Sequence, residues 1–140
     1  PIGTPLRFVL DTVGFEDDLA RLFLGGPMMG QAVSSLDIPV TKGTTGVIGF
    51  SKSQCGNVSR LKQMPCIRCG HCLDACPMFL NPSQLGLLAA NGEHRRMAGD
   101  YHLMDCFECG CCTFVCPSHI PLVQQFRVAK AAVRKAEATV

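Results

Sequence analysis

The chain has 140 residues, which is enough for one or two small domains. Its formal net charge of +2 is too small to indicate a nucleic-acid surface, and a chain with no Trp and one Tyr offers no aromatic platform for stacked bases. No run of 18 apolar residues is present, so the sequence predicts no membrane-spanning helix.

The first predicted element is a short amphipathic helix over residues 5–13. Thr4 has the residue type of an N-cap, and Pro5 has that of the first helical position. Gly14 follows as a typical C-terminal stop. Apolar residues recur at helical spacing between these ends, at Leu6, Val9, Leu10 and Val13.

Short apolar runs predict strands at residues 21–24, 37–40 and 47–50. Together with the helix they indicate a small α+β unit over residues 1–50, which alone buries too little surface for much stability. Because the chain also begins at Pro1 rather than Met, we expect it to be a fragment of a longer protein. Polar residues 51–64 are interpreted as a linker to a second domain over residues 65–140.

Residues 25–30, Gly-Gly-Pro-Met-Met-Gly, form a predicted glycine-rich turn after the first strand. The segment lacks both the G-x-G-x-x-G and the G-K-[ST] pattern of phosphate-binding loops. Pro27 also removes an N–H donor that such a loop needs. We therefore interpret the segment as a structural turn.

The second domain contains two copies of the pattern C-x2-C-x2-C-x3-C-P. This spacing is typical of [4Fe–4S] ligation, in which the fourth cysteine of each copy binds the other cluster. The sequence therefore predicts two clusters with crossed ligands. Cluster 1 takes Cys66, Cys69, Cys72 and Cys116. Cluster 2 takes Cys106, Cys109, Cys112 and Cys76.

Zinc is the alternative metal, since paired C-x2-C units also form structural zinc sites. Four ligands per zinc ion leave no role for a third cysteine at the same interval or for the closing proline. A disulfide framework is disfavoured, because eight of the ten cysteines lie in the two motifs and the adjacent pair Cys111 and Cys112 has poor disulfide geometry. So many free thiols indicate a reducing compartment.

The remaining metal-binding residue types are interpreted as non-ligands. Cys111 fits only a cysteine spacing that the first motif does not have. Cys55 has no other cysteine at ligand spacing. We therefore expect both to be small packed side chains. Eight thiolates leave no vacancy for histidine. The four histidines are His71, His94, His102 and His119.

The segments around and after the motifs predict helices rather than a β-hairpin. One begins with Ser83 as N-cap and runs to Ala90, and shorter turns follow at residues 93–98 and 101–105. After Pro121 a longer helix has an apolar stripe of Val123, Phe126 and Val133, with Ala129 near it. We expect its basic residues on a solvated face, although a basic amphipathic helix can also bind membrane lipid or a partner. These residues are Arg127, Lys130, Arg134 and Lys135. Gly70 and Gly110, at matched motif positions, predict left-handed backbone.

Several segments together resemble the C subunit of the Rnf electron-transport complex. They are residues 25–30, 65–70, 108–112, 115–124, 126–127 and 129–130. The resemblance covers nearly the whole chain, as the C-terminal part of that protein. It is specific because the cluster motifs occur in this order with the Gly-Gly-Pro-Met-Met-Gly turn.

The resemblance implies an α+β chain with a β-grasp-like region of SLBB type at residues 1–50 and a mainly α-helical ferredoxin module with two [4Fe–4S] clusters. Rnf complexes couple electron transfer between NADH and ferredoxin to Na⁺ or H⁺ movement across the bacterial cytoplasmic membrane. The C subunit is peripheral and lies on the cytoplasmic side. The chain would then be part of a translocase and would itself only relay electrons, between a flavin and a ferredoxin-like subunit. FMN and NADH sites are expected upstream of Pro1.

Two other functions remain open at this point. One is an iron–sulfur adaptor of another flavoprotein, such as a cobalamin reductase or a succinate-dehydrogenase-like enzyme. The other is a zinc-stabilised binding scaffold. The iron and sulfide content, compared with the zinc content, distinguishes the zinc scaffold from both iron–sulfur functions. The turn at residues 25–30 favours the Rnf interpretation over the adaptor by resemblance alone.

Overall fold

A computed structural model describes residues 1–15, 18–55 and 62–138. The chain divides into two compact units, Pro1–Arg60 and Leu61–Val140. The elements of the first unit are α1 Leu6–Thr12, β1 Leu19–Leu24, β2 Gln31–Val33, β3 Val47–Ser51 and α2 Lys52–Cys55. Those of the second are α3 His71–Asp74, α4 Pro82–Ala90, α5 His94–Gly99, the 3-10 turn Leu103–Asp105, α6 Cys111–Phe114 and α7 Leu122–Glu137.

The first unit is a three-stranded antiparallel sheet with strand order β2-β1-β3 and one longer helix, α1. Leu6 and Leu10 of α1 are buried with Leu22 of β1, so the helix covers one face of the sheet. Gly14, in the left-handed region at φ +66°, follows the helix as the sequence predicts. The unit is therefore mixed α and β, with β1 and β3 close to the predicted strands.

The structure corrects two predictions in this unit. Thr4 does not cap α1, because Pro5 is the N-cap residue and the Thr4 hydroxyl donates to the Pro1 carbonyl at 2.8 Å. Residues 37–40 form no strand beyond an isolated bridge between Pro5 and Pro39, and a proline cannot donate to a ladder. The sheet uses β2 instead, a three-residue strand too short to show alternation.

The predicted linker, residues 51–64, is only partly unstructured in the described chain. Ser51 ends β3, and residues 52–55 form α2. Residues 56–61 lie outside the described part of the chain. Among the described helices, none has the length and apolar character needed to cross a bilayer.

The second unit is a helical domain in which α4, α5 and α7 pack on one another. Its core is closed by large apolar side chains that are almost fully buried, namely Leu85, Leu88, Met97, Leu103, Leu122 and Phe126. Asn81 caps α4 by accepting from the Gln84 N–H at 3.0 Å, and Pro82 is the first helical residue. The prediction of Ser83 as the cap is therefore wrong, because Asn81 already supplies the acceptor one step before the proline.

Helix α7 has its predicted apolar stripe, with Val123, Phe126 and Val133 all buried. Its basic residues do not all lie on a solvated face, however. Lys130 is buried at 5% exposure, because it turns inward to polar groups of the second cysteine motif. The prediction of a fully solvated basic face is wrong at this position.

Candidate metal centre

The two cysteine motifs have the same backbone geometry. Gly70 and Gly110 are left-handed, with φ of +85° and +86°, as predicted. Each precedes a four-residue helix whose third N–H returns to the glycine carbonyl, from Leu73 at 2.8 Å and from Thr113 at 3.0 Å. Each motif is thus a tight loop that bends around its first three cysteines.

Two matched pairs of residues other than glycine are also left-handed. Arg68 and Glu108 have φ of +54° and +62°, and Phe79 and His119 have φ of +54° and +52°. The members of each pair are offset by 40 residues, as are Cys66 and Cys106. Residues other than glycine rarely adopt the left-handed region of φ. Its occurrence at matched positions therefore shows that the two motifs share one loop geometry.

Cavity 1 is lined by cysteines from both motifs. Cys66, Cys69 and Cys72 of the first motif share it with Cys116 of the second, and its volume is about 160 Å³. A void of roughly 10–15 Å³ on this scale holds one water, so cavity 1 has room for a polyatomic group. These are the four cysteines that the motif spacing assigns to cluster 1.

Cavity 2 is lined by the other predicted set. Cys106, Cys109 and Cys112 of the second motif share it with Cys76 of the first. Its volume is about 20 Å³, close to that of a single water site. Cavity 2 is therefore the smaller of the two.

One matched position has a small residue in cavity 1 and a large one in cavity 2. Gly86 lines cavity 1, and the residue 40 positions later, Phe126, lines cavity 2. Gly86 also lets α4 approach α7, since a β-carbon there would lie 2.6 Å from Cδ2 of Leu122. Phe126 is 1% exposed and fills the corresponding space with its ring.

The thiols of the two sets differ in burial. Cys66 and Cys69 are exposed, whereas Cys112 is buried. Burial raises the pKa of Cys112 to about 11, and it also raises the pKa of Cys72 and of Cys106. For Cys72, repulsion from the nearby Cys116, Cys66 and Cys69 adds to the increase in pKa. Binding a metal centre requires thiolates, so loading either site releases protons.

The donor set fits iron–sulfur chemistry. Each cavity has four thiols and no histidine in its described lining, which is the ligand set of a [4Fe–4S] cluster. A tetrahedral zinc ion with bonds of about 2.3 Å would draw its sulfurs close together. Within residues 1–15, 18–55 and 62–138, no three Cys, His, Asp or Glu side chains converge as they would around one metal ion.

Cavity 1 also contains a polar atom that lacks a partner. Among the described residues, Gln125 Oε1 is buried and accepts no hydrogen bond, and Gln125 lines cavity 1. Oxygen and nitrogen of an amide exchange places by rotation, so this side chain can present either an acceptor or a donor to an occupant. A buried amide of this kind suits a polar occupant rather than an empty apolar void.

Ser118 joins the beginning of the first motif to the end of the second. Its hydroxyl donates to the Pro65 carbonyl at 2.9 Å, and its own carbonyl accepts from the Met64 N–H at 2.9 Å. These bonds hold the segment before Cys66 beside the segment after Cys116. The sequence does not single out Ser118, because a contact between residues so distant in the chain leaves no local signal.

A partly buried charged network borders the second motif. Glu108 accepts from Arg127 Nε at 2.8 Å and from Lys130 Nζ at 3.1 Å, and Lys130 also donates to the Cys106 carbonyl. Burial opposes the ionisation of Glu108, but the hydrogen bonds from Lys130 and Arg127 outweigh it and hold its pKa below the ordinary value. The sequence pattern predicts a solvated face for both cations and does not single out Glu108.

The other candidate ligands lie outside the two sets. Cys111 is partly buried and hydrogen-bonded to Cys109, which raises the pKa of the Cys111 thiol. Cys55 is the partly buried last residue of α2. The four histidines, all within the described chain, line neither cavity.

Two four-thiol cavities built from a repeated cysteine loop define a ferredoxin-type iron–sulfur domain. Residues 65–120 accordingly match the family model described as a 4Fe-4S dicluster domain. This match covers both cysteine motifs and the helices between them.

The chain as a whole is homologous to a segment of the C subunit of ion-translocating oxidoreductase complexes. It is 46% identical over 136 residues, 96% of its length, to the C subunit of the proton-translocating ferredoxin:NAD(+) oxidoreductase complex of Clostridium ljungdahlii. It is 44% identical to the C subunits of the ion-translocating oxidoreductase complexes of Pasteurella multocida and Rhodobacter capsulatus, over 94% and 92% of its length. The chain spans only 29%, 16% and 24% of these respective relatives. The resemblance predicted from the sequence is confirmed.

Proposed function

We propose that this chain is the electron-relay module of a membrane-associated, ion-translocating ferredoxin:NAD oxidoreductase complex. Electrons pass through two [4Fe–4S] clusters held by the helical domain. The observation that carries the proposal is the grouping of eight thiols into two sets of four, each drawn from both motifs. The names of the relatives indicate the kind of complex, and the two sets of thiols indicate the kind of cofactor.

The ligands of cluster 1 are Cys66, Cys69, Cys72 and Cys116, and those of cluster 2 are Cys106, Cys109, Cys112 and Cys76. The bound clusters supply one-electron chemistry, and the protein supplies binding, orientation and shielding from water. The shared lining of each cavity by both motifs supports this crossed arrangement. Because each motif contributes to both sites, the two clusters are held close together, as electron transfer between them requires.

The chain's own residues give the two sites different surroundings. Cys66 and Cys69 are exposed, so cluster 1 is the one that an outside donor or acceptor approaches most easily. Cys112 is buried against Phe126 and the rest of the helical core, so cluster 2 is better shielded from water. The order of exposure makes cluster 1 the more accessible of the two for exchange with an outside partner.

The first unit is assigned to a β-grasp domain of SLBB type, with the linker following it. Its three-stranded antiparallel sheet and the helix α1 are compatible with part of such a domain. FMN and NADH are assigned to parts of the complex outside this chain. The partners are other subunits, including a ferredoxin-like one, and the location is the cytoplasmic side of the bacterial inner membrane.

The test is the iron, sulfide and zinc content of the anaerobically purified protein, followed by EPR after dithionite reduction. About eight iron and eight sulfide per chain, with signals of two interacting [4Fe–4S]⁺ centres, are expected for two cubane clusters. About two zinc ions per chain and no sulfide would overturn the proposal and leave a zinc-stabilised scaffold.

A further inference from the structure

Lys130 is a buried cation beside one predicted cluster site. Lys130 is 5% exposed. Its ammonium group donates to the backbone carbonyl of Cys106, a proposed ligand of cluster 2. It also pairs with Glu108 at 3.1 Å, and Glu108 is held a second time by Arg127 at 2.8 Å. Lys130 is therefore fixed in direction as well as buried.

The first motif lacks the residues of this network. At the 40-residue offset, Ala90 replaces Lys130, Leu87 replaces Arg127, and Arg68 replaces Glu108. Ala90, Leu87 and Arg68 all line cavity 1, and Arg68, the cation at this site, is exposed to solvent. Between these matched positions, the repeat keeps its cysteines and its backbone geometry while placing a buried cation beside the second site alone.

Folding stability alone does not require a charge at Lys130. Burying a lysine costs desolvation energy, and replacement of buried ion pairs by apolar side chains is often neutral or stabilising. The matched positions Ala90 and Leu87 show that the same repeat folds with apolar residues there. The proposed cluster site at Cys106 offers a reason for a positive charge at this position.

Reduction of an iron–sulfur cluster adds one electron and hence one negative charge to the site. A fixed cation in a poorly hydrated setting stabilises that added charge more than it stabilises the oxidised state. Charge and hydrogen bonding near the sulfurs are known determinants of cluster potential. A cation at Lys130 raises the reduction potential, and the carboxylate of Glu108 acts in the opposite direction.

We propose that Lys130 is a tuning residue which raises the reduction potential of the cluster bound by Cys106, Cys109, Cys112 and Cys76. Glu108 and Arg127 hold its ammonium group in place, and Glu108 moderates its effect. The inference rests on the proposed function, because it requires that this cysteine set binds a cluster. It assigns the difference in charge between the two halves of the repeat to the energetics of the electron path.

The experiment is an EPR-monitored redox titration of the anaerobically purified full chain. Lys130→Met keeps most of the length of the side chain and removes its charge, and Glu108→Gln removes the opposing charge. Arg134→Met is the matched control, since it removes an exposed cation one turn further along α7. Such an exposed charge is screened by water and salt.

Lys130→Met is expected to lower one of the two potentials, with at least a tenfold fall in the reduced-to-oxidised ratio at fixed potential, about 59 mV for one electron. Glu108→Gln is expected to raise the same potential, and Arg134→Met to leave both unchanged. Shifts of the reduction potential in opposite directions indicate an effect of charge. A loosening of the site would shift the potential of both variants in the same direction.

Unchanged potentials in both variants, with both clusters present, would overturn the inference, as would shifts of the same sign. Absence of iron and sulfide from the unmodified protein would instead overturn the proposed function. If Lys130→Met fails to retain its cluster, Lys130→Gln, which removes the charge but keeps a hydrogen-bond donor, takes its place in the titration.

Discussion

Cys116 lines the same cavity as Cys72, although the two cysteines belong to different motifs. The same exchange brings Cys76 to the cavity of Cys106. The two loops are further joined by Ser118, which is bonded to the segment before the first motif. Neither motif is therefore a complete site by itself.

The first prediction concerns the crossed ligands. Cys116→Ser should strongly deplete the cluster of Cys66, Cys69 and Cys72 and leave the other cluster largely in place, because a serine hydroxyl is a poor substitute for a thiolate ligand. Cys76→Ser should do the reverse. Iron content and EPR of the two variants check this, with Cys55→Ser as the control. Loss of only the 106/109/112 cluster in Cys116→Ser would refute the crossed arrangement.

The second prediction concerns the pH dependence of the cluster-free fold. Burial raises the pKa of Cys112 from 9.0 to about 11, so the folded state disfavours its thiolate. The corresponding stability is fully present below pH 9 and is lost as the pH rises through 11. Between pH 8 and pH 10.5 the loss should be about 2 kcal/mol, at roughly 1.36 kcal/mol per pKa unit.

Urea unfolding of the cluster-free protein at both pH values measures this loss. Other groups titrate in the same range, so the informative quantity is the difference between the unmodified protein and Cys112→Ala. The variant should lose about 2 kcal/mol less stability than the parent over this interval. Equal losses in the two proteins would show that Cys112 is not a source of the pH dependence.

The third prediction concerns the close approach of α4 and α7. Gly86→Ala places a β-carbon 2.6 Å from Cδ2 of Leu122, so the leucine must move within a packed core. Overpacking of this kind costs roughly 1–3 kcal/mol. Gly99→Ala, at the end of α5, meets nothing within 4 Å and should be nearly neutral.

Thermal unfolding and iron content of the two glycine variants check this prediction. Gly86→Ala should lower the midpoint and reduce the occupancy of cluster 1 more than that of cluster 2, because residue 86 lines cavity 1. An unchanged midpoint in Gly86→Ala would mean that Leu122 relaxes without cost.

The fourth prediction concerns the order in which iron is lost. Cys66 and Cys69 are exposed, whereas Cys112 is 7% exposed. Water, oxygen and chelators therefore reach cluster 1 first. EPR spectra recorded during treatment with an iron chelator should show the signal of cluster 1 decaying at least severalfold faster. Simultaneous decay of both signals would contradict the difference in shielding.

Repetition and spacing in the sequence predict much of the helical domain. The two sets of four cysteines follow from the motif, the same sets line the two cavities, and the left-handed glycines at 70 and 110 are confirmed. The ligand roles themselves stay a prediction. The glycine conformations are readable because they depend on residues a few positions apart, and the exchange of the fourth cysteine is readable because it accompanies this repeated spacing.

The features that the sequence did not predict depend on contacts between distant residues. Lys130 meets Glu108 only once α7 has packed on the second motif, and a lysine in an amphipathic helix is usually solvated. The short strand β2 is too brief for a periodic signal. Residues 37–40 resemble a strand but use their backbone to bind the beginning of α1, as in the Leu6 N–H bond to the Ile38 carbonyl at 3.0 Å.

The shared lining of each cavity has a consequence for biosynthesis. A nascent chain that has emerged only as far as Cys76 carries three of the four thiols that surround cavity 1, because the fourth is Cys116. Helix α7, which supplies Phe126 to the core of the domain, follows later still. With the proposed ligand sets, iron would enter this domain only after translation has passed the second motif, and a chain truncated between the motifs would have no complete site to fill.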